Sequence, residues 1–200
     1  MKRALTVIVA AGDFPKPGSL AWRLMEQADR IVACDRAGEA AKNAFGNVIC
    51  VGDGDSGKVD VKIEEQDTND LEKAYRYAKD HPLSGDEEMV ILGAGGKRED
   101  HMLGNIFRAM EWGVKTVTDY GIFYPLVPGA TEIKTGTDMA VSVFALERGA
   151  KMTSEGLKWP LDGVEFNNLY CATLNRSTRD TVKLITNKRG FAYVAFAEQA

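Results

Sequence analysis

The feature that most constrains the fold is an alternation over the first 118 residues: a short apolar run, a stretch with helical spacing, then another apolar run. The runs are Leu5–Ala11, Arg30–Cys34, Val48–Val51, Met89–Leu92 and Val114–Thr118, with Val59–Ile63 as a shorter candidate. Leu20–Ala28, Gly38–Phe45, a segment from Thr68 or Asn69 to about Lys79, and Asp100 to about Trp112 carry helical periodicity between them. Only a crossover returns the chain in the same direction, so strand–helix alternation predicts parallel strands. Near-continuous apolar runs predict a sheet covered on both faces. The predicted architecture is an open parallel, Rossmann-like α/β domain. Met1-Lys2-Arg3 and the apolar residues after it imitate a short signal peptide, but they run into the turn Gly12-Asp13-Phe14-Pro15 and read as a buried first strand.

The pattern changes near residue 119. Beyond it Met139–Leu146, Leu169–Leu174, Thr181–Thr186 and Phe191–Phe196 are rich in Val, Thr, Tyr and Phe, and Gly129, Gly136, Gly149, Gly163 and the stretch Asn187–Gly190 separate them. That spacing predicts an antiparallel sandwich or open barrel. The expected division is residues 1–120 as the α/β domain and 121–200 as a β-sandwich.

Composition narrows the function classes. Hydrophobic residues are 44% and charged residues 27% of the 200, the balance of a globular chain. The net charge is −4 and no dense Lys/Arg run occurs, which argues against a nucleic-acid binder. No run of eighteen apolar residues predicts a membrane span. Three scattered cysteines make neither a disulfide framework nor a zinc motif and suit a reducing, cytoplasmic setting.

In open α/β sheets, ligands bind outside the carboxyl ends of the strands. The residues expected there are Asp35, then Gly52-Asp53-Gly54-Asp55-Ser56-Gly57, then Gln66-Asp67-Thr68-Asn69-Asp70, then Gly93-Ala94-Gly95-Gly96-Lys97-Arg98-Glu99-Asp100-His101. Carboxylates gathered in one cleft repel one another unless a cation joins them. Hard oxygen ligands suit Mg²⁺, which takes one or two carboxylates with substrate phosphates, so the pattern points to a magnesium-nucleotide site. Each motif also has a plain structural reading. Asp53 and Asp55 suit a turn, Thr68 or Asn69 with Glu72 suits a helix cap, and Asp100 suits the N-cap of the following helix. An EF-hand loop starting at Asp53 fails, because Gly57 and Lys58 stand where a ligand and the glycine belong. Neither GxGxxG nor GxxxxGK[ST] occurs, so Gly93–Gly96 alone only permits close backbone approach, with Arg98 beside it as a planar phosphate donor. His101 and His81 read as a satisfied helix residue and a surface residue, and Trp22 and Trp112 as packing. In the second part, Gly156-Leu157-Lys158-Trp159-Pro160-Leu161 stands out, with Trp159 read either as core or as a binding aromatic.

Taken in order, Asp35, Gly52–Ser56, Gln66–Ala74, Gly93–His101 and Gly156–Leu161 resemble the thiamine pyrophosphokinase family over nearly the whole chain. The resemblance implies transfer of the pyrophosphoryl group of ATP to the hydroxyl of thiamine, giving thiamine diphosphate and AMP, with Mg²⁺ as cofactor. It implies a homodimer, with thiamine held between the sandwich of one subunit and the nucleotide domain of the other. It puts Asp53, Asp55 and Asp70 at metal positions, and Ser56, Thr68, Gly95, Arg98 and Asp100 on the nucleotide. Gln66 is placed on substrate, and Leu157, Trp159 and Asn175 on thiamine. Asp35 or Asp70 is expected to accept the alcohol proton. The chain departs from the family's usual pattern at Arg36, at Gly54 and at Leu174-Asn175-Arg176. Two alternatives stay open at this point: another Mg²⁺-dependent nucleotide phosphotransferase, and a non-catalytic thiamine or nucleotide sensor.

Overall fold

The computed structural model describes residues 3–196, and these separate into two compact units. The first runs to Ile106 and takes in Thr116–Asp119; the second comprises Phe107–Lys115 and the chain from Tyr120 onward.

The first unit is an α/β sheet with strands in the order β6 (Lys115–Val117), β5 (Glu87–Leu92), β1 (Ala4–Val9), β2 (Arg30–Cys34), β3 (Val48–Gly52) and β4 (Val61–Lys62). β1 runs parallel to both β2 and β5, β2 to β3, and β3 to β4. The apolar runs are the reason. Val7, Ile8, Val9, Ile31, Val32, Val90, Ile91 and Leu92 are all at most 1% exposed, each such burial contributing about 1.5–3 kcal/mol. The helices are α1 (Leu20–Gln27), α2 (Asp35–Ala44), α3 (Asp70–Asp80) and the start of α4 (Glu99–Trp112), whose residues from Phe107 onward fall in the second unit. Ser19 Oγ caps α1 by accepting from Trp22 N, and Asn69 Oδ1 caps α3 by accepting from Glu72 N.

The register fixes where a ligand can sit. Val9 lies opposite both Ala33 and Leu92, and Cys34 lies opposite Val51, so these strands end side by side. The loops that follow them emerge on one edge. On the opposite edge the buried Arg30 guanidinium donates to Ala78 O, His81 O and Glu87 Oε1, and Thr6 Oγ1 donates to the same Glu87 oxygen. Arg30 thus satisfies carbonyls at the C-terminus of α3, which no helical N–H can reach, and anchors the helix whose other end carries Asp70.

The second unit is a β-sandwich. One sheet has the order β11 (Asn175–Arg176), β9 (Ala140–Ala145), β13 (Gly190–Ala195), β7 (Gly121–Leu126); the other is β10 (Met152–Glu155), β12 (Thr181–Thr186), β8 (Gly129–Lys134). The paired strands within it are antiparallel. Leu126, Val141, Val143, Ala192 and Val194 from one sheet pack with Ile133, Met152, Val182 and Leu184 from the other.

Two expectations need correction. α2 begins at Asp35, three residues before the predicted Gly38, because an acidic residue is favoured in a first helical turn. The predicted strand Leu169–Leu174 is a series of turns and bends. Asn168 Oδ1 accepts from Tyr170 N, Thr173 Oγ1 donates to Tyr170 O, and Leu174 has φ +60°, all incompatible with extended pairing.

Candidate active site

The site begins with two short strand-end loops. Asp35, in the first turn of α2, is 4% exposed. Its Oδ2 accepts from Gly54 N at 3.0 Å and from Ser56 N at 3.3 Å, which ties down the loop carrying Asp53 and Asp55. Gly52 makes this possible: a Cβ there would come within 2.7 Å of Asp35 Cβ. Within the loop, Asp53 Oδ1 accepts from Asp55 N at 3.1 Å, and Ser56 Oγ donates to Asp55 Oδ1 at 2.7 Å. Arg36 Nε donates to Ser56 Oγ at 3.1 Å, so the residue that departs from the family pattern braces the same loop.

α3 brings the next two groups. Asp70 and Lys73 are one turn apart and share a face. The Lys73 side chain is 3% exposed, and its Nζ lies 3.4 Å from Asp53 Oδ2 and 3.5 Å from Asp70 Oδ1. Gln66 Nε2 donates to Asp53 Oδ2 at 3.2 Å. The Asp55 N–H, the Gln66 amide and Lys73 together pull the Asp53 carboxyl down to about 2. Burial pushes Asp70 the other way, upward from the usual carboxylate range, against the pull of Lys73.

The third part is the turn after β5. Gly12 N donates to Gly93 O at 2.8 Å and Asp13 N to Gly95 O at 2.7 Å. A Cβ on Gly12 would fall 2.1 Å from Gly95 O, so the glycines here let two backbone segments dock on each other. Lys97 Nζ reaches Ala11 O at 3.1 Å, and Asn105 Nδ2 donates to Ala94 O at 3.1 Å. Arg98 forms a side-chain pair with Asp100, and this pair draws the Asp100 carboxyl down to about 2.

One cleft of about 370 Å³ collects these parts. Of the expected residues, Asp53, Asp55, Ser56, Gln66, Thr68, Asp70, Gly95 and Arg98 line it. Asp35 lies beneath the Asp53–Ser56 loop and is not among the lining residues; neither is Asp100, whose partner is Arg98. Sequence reasoning gave no role to Lys73, Lys97 or Gly12, which also line the cleft. For Lys73 a signal existed, since Asp70 and Lys73 at helical i, i+3 spacing place a cation beside the acidic loop. For Gly12 none did, because its partner is 83 residues away, at Gly95. Asp53, Asp55 and Asp70 are hard oxygen donors opening on one cleft, which is the donor chemistry that Mg²⁺ takes.

In the second unit, the Asn175 side chain holds the Trp159 backbone. Asn175 Nδ2 donates to Trp159 O at 2.6 Å and its Oδ1 accepts from Trp159 N at 3.1 Å. Asn175 is 4% exposed, whereas Trp159 is 52% exposed, with the Lys158 ammonium 4.8 Å from its ring centroid. Leu157, 6% exposed, belongs to the sandwich core and bridges to Ser177.

An α/β unit with an acidic and cationic cleft at the carboxyl edge of its sheet, in one chain with a β-sandwich, defines a nucleotide-dependent phosphotransferase. Comparison with known proteins gives the family. The sequence profile of the thiamin pyrophosphokinase catalytic domain matches residues 21–119, and that of the thiamin pyrophosphokinase substrate-binding domain matches residues 121–193. The chain belongs to the thiamin pyrophosphokinase family, and its activity is that of an ATP:thiamine diphosphotransferase. No curated protein matches it by sequence alone. The fold is similar to thiamin pyrophosphokinase from Geobacillus thermodenitrificans, with TM-score 0.77 and 19% identity over 96% of this chain and 97% of that one. It is similar to the Bacillus subtilis enzyme at TM-score 0.73 and 19% identity, over 96% and 98% of the two chains. The yeast enzyme gives TM-score 0.72 and 14% identity, over 100% and 88%.

Proposed function

We propose that the cleft at the carboxyl edge of the first unit binds Mg-ATP, and that the second unit supplies the thiamine wall through Trp159. The observation that carries this reading is that Asp53, Asp55, Gln66, Asp70, Gly95 and Arg98 line a single cleft although they are spread over 46 positions of the chain.

Asp53 and Asp55 are the residues that would hold Mg²⁺, which when bound supplies charge neutralisation on the triphosphate. Arg98 turns from Asp100 to phosphate oxygens, and Lys97 adds a second cation beside them. Ser56, Thr68 and the Gly95 backbone position the nucleotide. Gln66 orients Asp53 and offers its remaining amide capacity to substrate. The thiamine hydroxyl oxygen forms its bond to the β-phosphorus as the bond to the α–β bridging oxygen breaks, and AMP leaves. The alcohol proton goes to a carboxylate. Asp35 is buried beneath the Asp53–Ser56 loop and does not line the cleft, while Asp70 opens on it. Asp70 is counted with the metal ligands by family resemblance, but the Lys73 ammonium stands between it and Asp53, and we assign Asp70 the proton.

In the second unit the exposed Trp159 face suits the cationic thiazolium, with Asn175 holding its backbone and Leu157 seating the segment in the core. A homodimer and a reducing, cytoplasmic setting complete the proposal; Cys34, Cys50 and Cys171 are free thiols. Among the described residues no helix is long and apolar enough to cross a membrane. The test is product analysis after mixing the protein with Mg-ATP and thiamine. AMP and thiamine diphosphate in equal amounts are expected. ADP as product, or ATP turnover indifferent to thiamine, overturns the proposal.

A further inference from the structure

The Asp35 carboxylate is only half used. Oδ2 accepts the Gly54 and Ser56 N–H groups, while Oδ1 is buried and has no hydrogen-bond partner. A buried carboxylate oxygen without a donor is costly unless a ligand meets it. Asp35, Asp53 and Asp55 each offer an oxygen, and the three oxygens lie within 4.8 Å of one another. Asp70 does not belong to this group; Lys73 separates it from Asp53.

We infer that Asp35 is a third carboxylate ligand of the divalent cation held by Asp53 and Asp55, supplied from beneath the loop rather than from the cleft wall. The inference rests on the proposed magnesium site and names one more residue of it. Charge supports the assignment. Lys73 already compensates Asp53 and Asp70 on the α3 side, whereas no cationic side chain bonds to Asp35 among the described interactions. A divalent ion on the Asp35 side gives the carboxylate the counter-charge it lacks. The same residue then performs two tasks: one oxygen shapes the Asp53–Ser56 loop, and the other closes the ion site that the loop presents.

Asp35→Asn separates the two tasks. The amide oxygen still accepts the loop N–H groups, while an NH₂ replaces the second oxygen and cannot ligate. The probe is Mn²⁺ alone, with no nucleotide, its free concentration read by electron paramagnetic resonance. Asp35→Asn is expected to weaken Mn²⁺ binding on the order of tenfold or more, with metal-free melting close to that of the unaltered protein. Asp53→Asn is the parallel variant. If Asp53→Asn loses Mn²⁺ and Asp35→Asn does not, the inference falls and the magnesium site stands. If neither variant loses Mn²⁺, the magnesium site falls and takes the inference with it. A measurement on the unaltered chain covers the case in which Asp35→Asn fails to fold. On addition of Mg²⁺ the carboxyl ¹³C resonance of Asp35 is expected to move together with those of Asp53 and Asp55, and a stationary Asp35 resonance overturns the assignment.

Discussion

Lys73 Nζ lies 3.4 Å from Asp53 Oδ2, and the side chain that carries it is 3% exposed. A buried ammonium therefore holds one carboxylate from the loop after β3 and, at 3.5 Å, a second from its own helix. Lys73→Met keeps the apolar stem and removes the charge. Asp53 and Asp70 are then left facing each other without a cation, a like-charge contact that destabilises the folded site. The melting temperature without metal is expected to fall, and Mg²⁺ is expected to raise it more in this variant than in the unaltered protein. Thermal melting with and without Mg²⁺ measures both; an equal Mg²⁺ response would place Lys73 outside the electrostatics of the site.

Asp53→Asn and Asp55→Asn test the loop that Asp35 holds. Each change removes a charge and leaves the side chain close to its original size. Asp53 Oδ1 accepts the Asp55 N–H, a bond that an Asn oxygen can also accept, so the turn survives the first change. Turnover of ATP in the presence of thiamine is expected to drop on the order of 100-fold or more in each variant. Circular dichroism should be unaltered. Near-normal turnover in both would remove the proposed magnesium site.

Much of the first unit is legible in the sequence because its signals are local. An unbroken apolar run such as Val7-Ile8-Val9 can only be a covered strand, and Asn69 three residues before Glu72 marks the start of α3. The acidic cleft follows once the strands are known to be parallel, since their ends must share an edge. What lies outside local reach depends on distant partners. Gly12 has meaning only against Gly95, and Asn175 only against Trp159. β7, β8 and β10 escape because their apolar alternation is broken, by Pro125 in β7 and by the polar inward-facing Thr131 and Ser154 in the others. Leu169–Leu174 shows the converse failure. Its β-forming residues are overruled by side-chain turns at Asn168 and by the left-handed Leu174.

The Trp159–Asn175 pair separates contact from support. Trp159→Ala removes the exposed ring while the backbone stays held by Asn175. The KM for thiamine is expected to rise on the order of tenfold, with the KM for ATP changed by less than about twofold. Asn175→Ala does the reverse: it frees both the N–H and the carbonyl of Trp159. It is expected to cost about 1–3 kcal/mol of stability and to raise the thiamine KM only through the misplaced ring. Steady-state kinetics paired with melting curves distinguishes the two. An equal rise of both KM values in Trp159→Ala would make the indole a packing group.

Asp60 gives a pH dependence remote from the cleft. Its Oδ2 accepts from Cys50 N at 2.7 Å and pairs with Lys42 at 2.7 Å, and the Cys50 N–H, with Lys42 second, holds the carboxyl below its usual range in the folded chain. The unfolded chain has the ordinary value of about 3.9. The folded state thus binds the proton less readily, so Asp60 stabilises it above about pH 4, and the contribution is lost as pH falls through the lowered folded value. Asp60→Asn removes the titration. An amide can still accept from Cys50 N but loses the charge on Lys42, so the variant is expected to be less stable at pH 7 and to show a shallower loss of stability as pH falls below about 4. Denaturant titrations at several pH values check this. Parallel stability–pH curves for the two proteins would mean that the Cys50 N–H and Lys42 do not perturb Asp60 in the folded state.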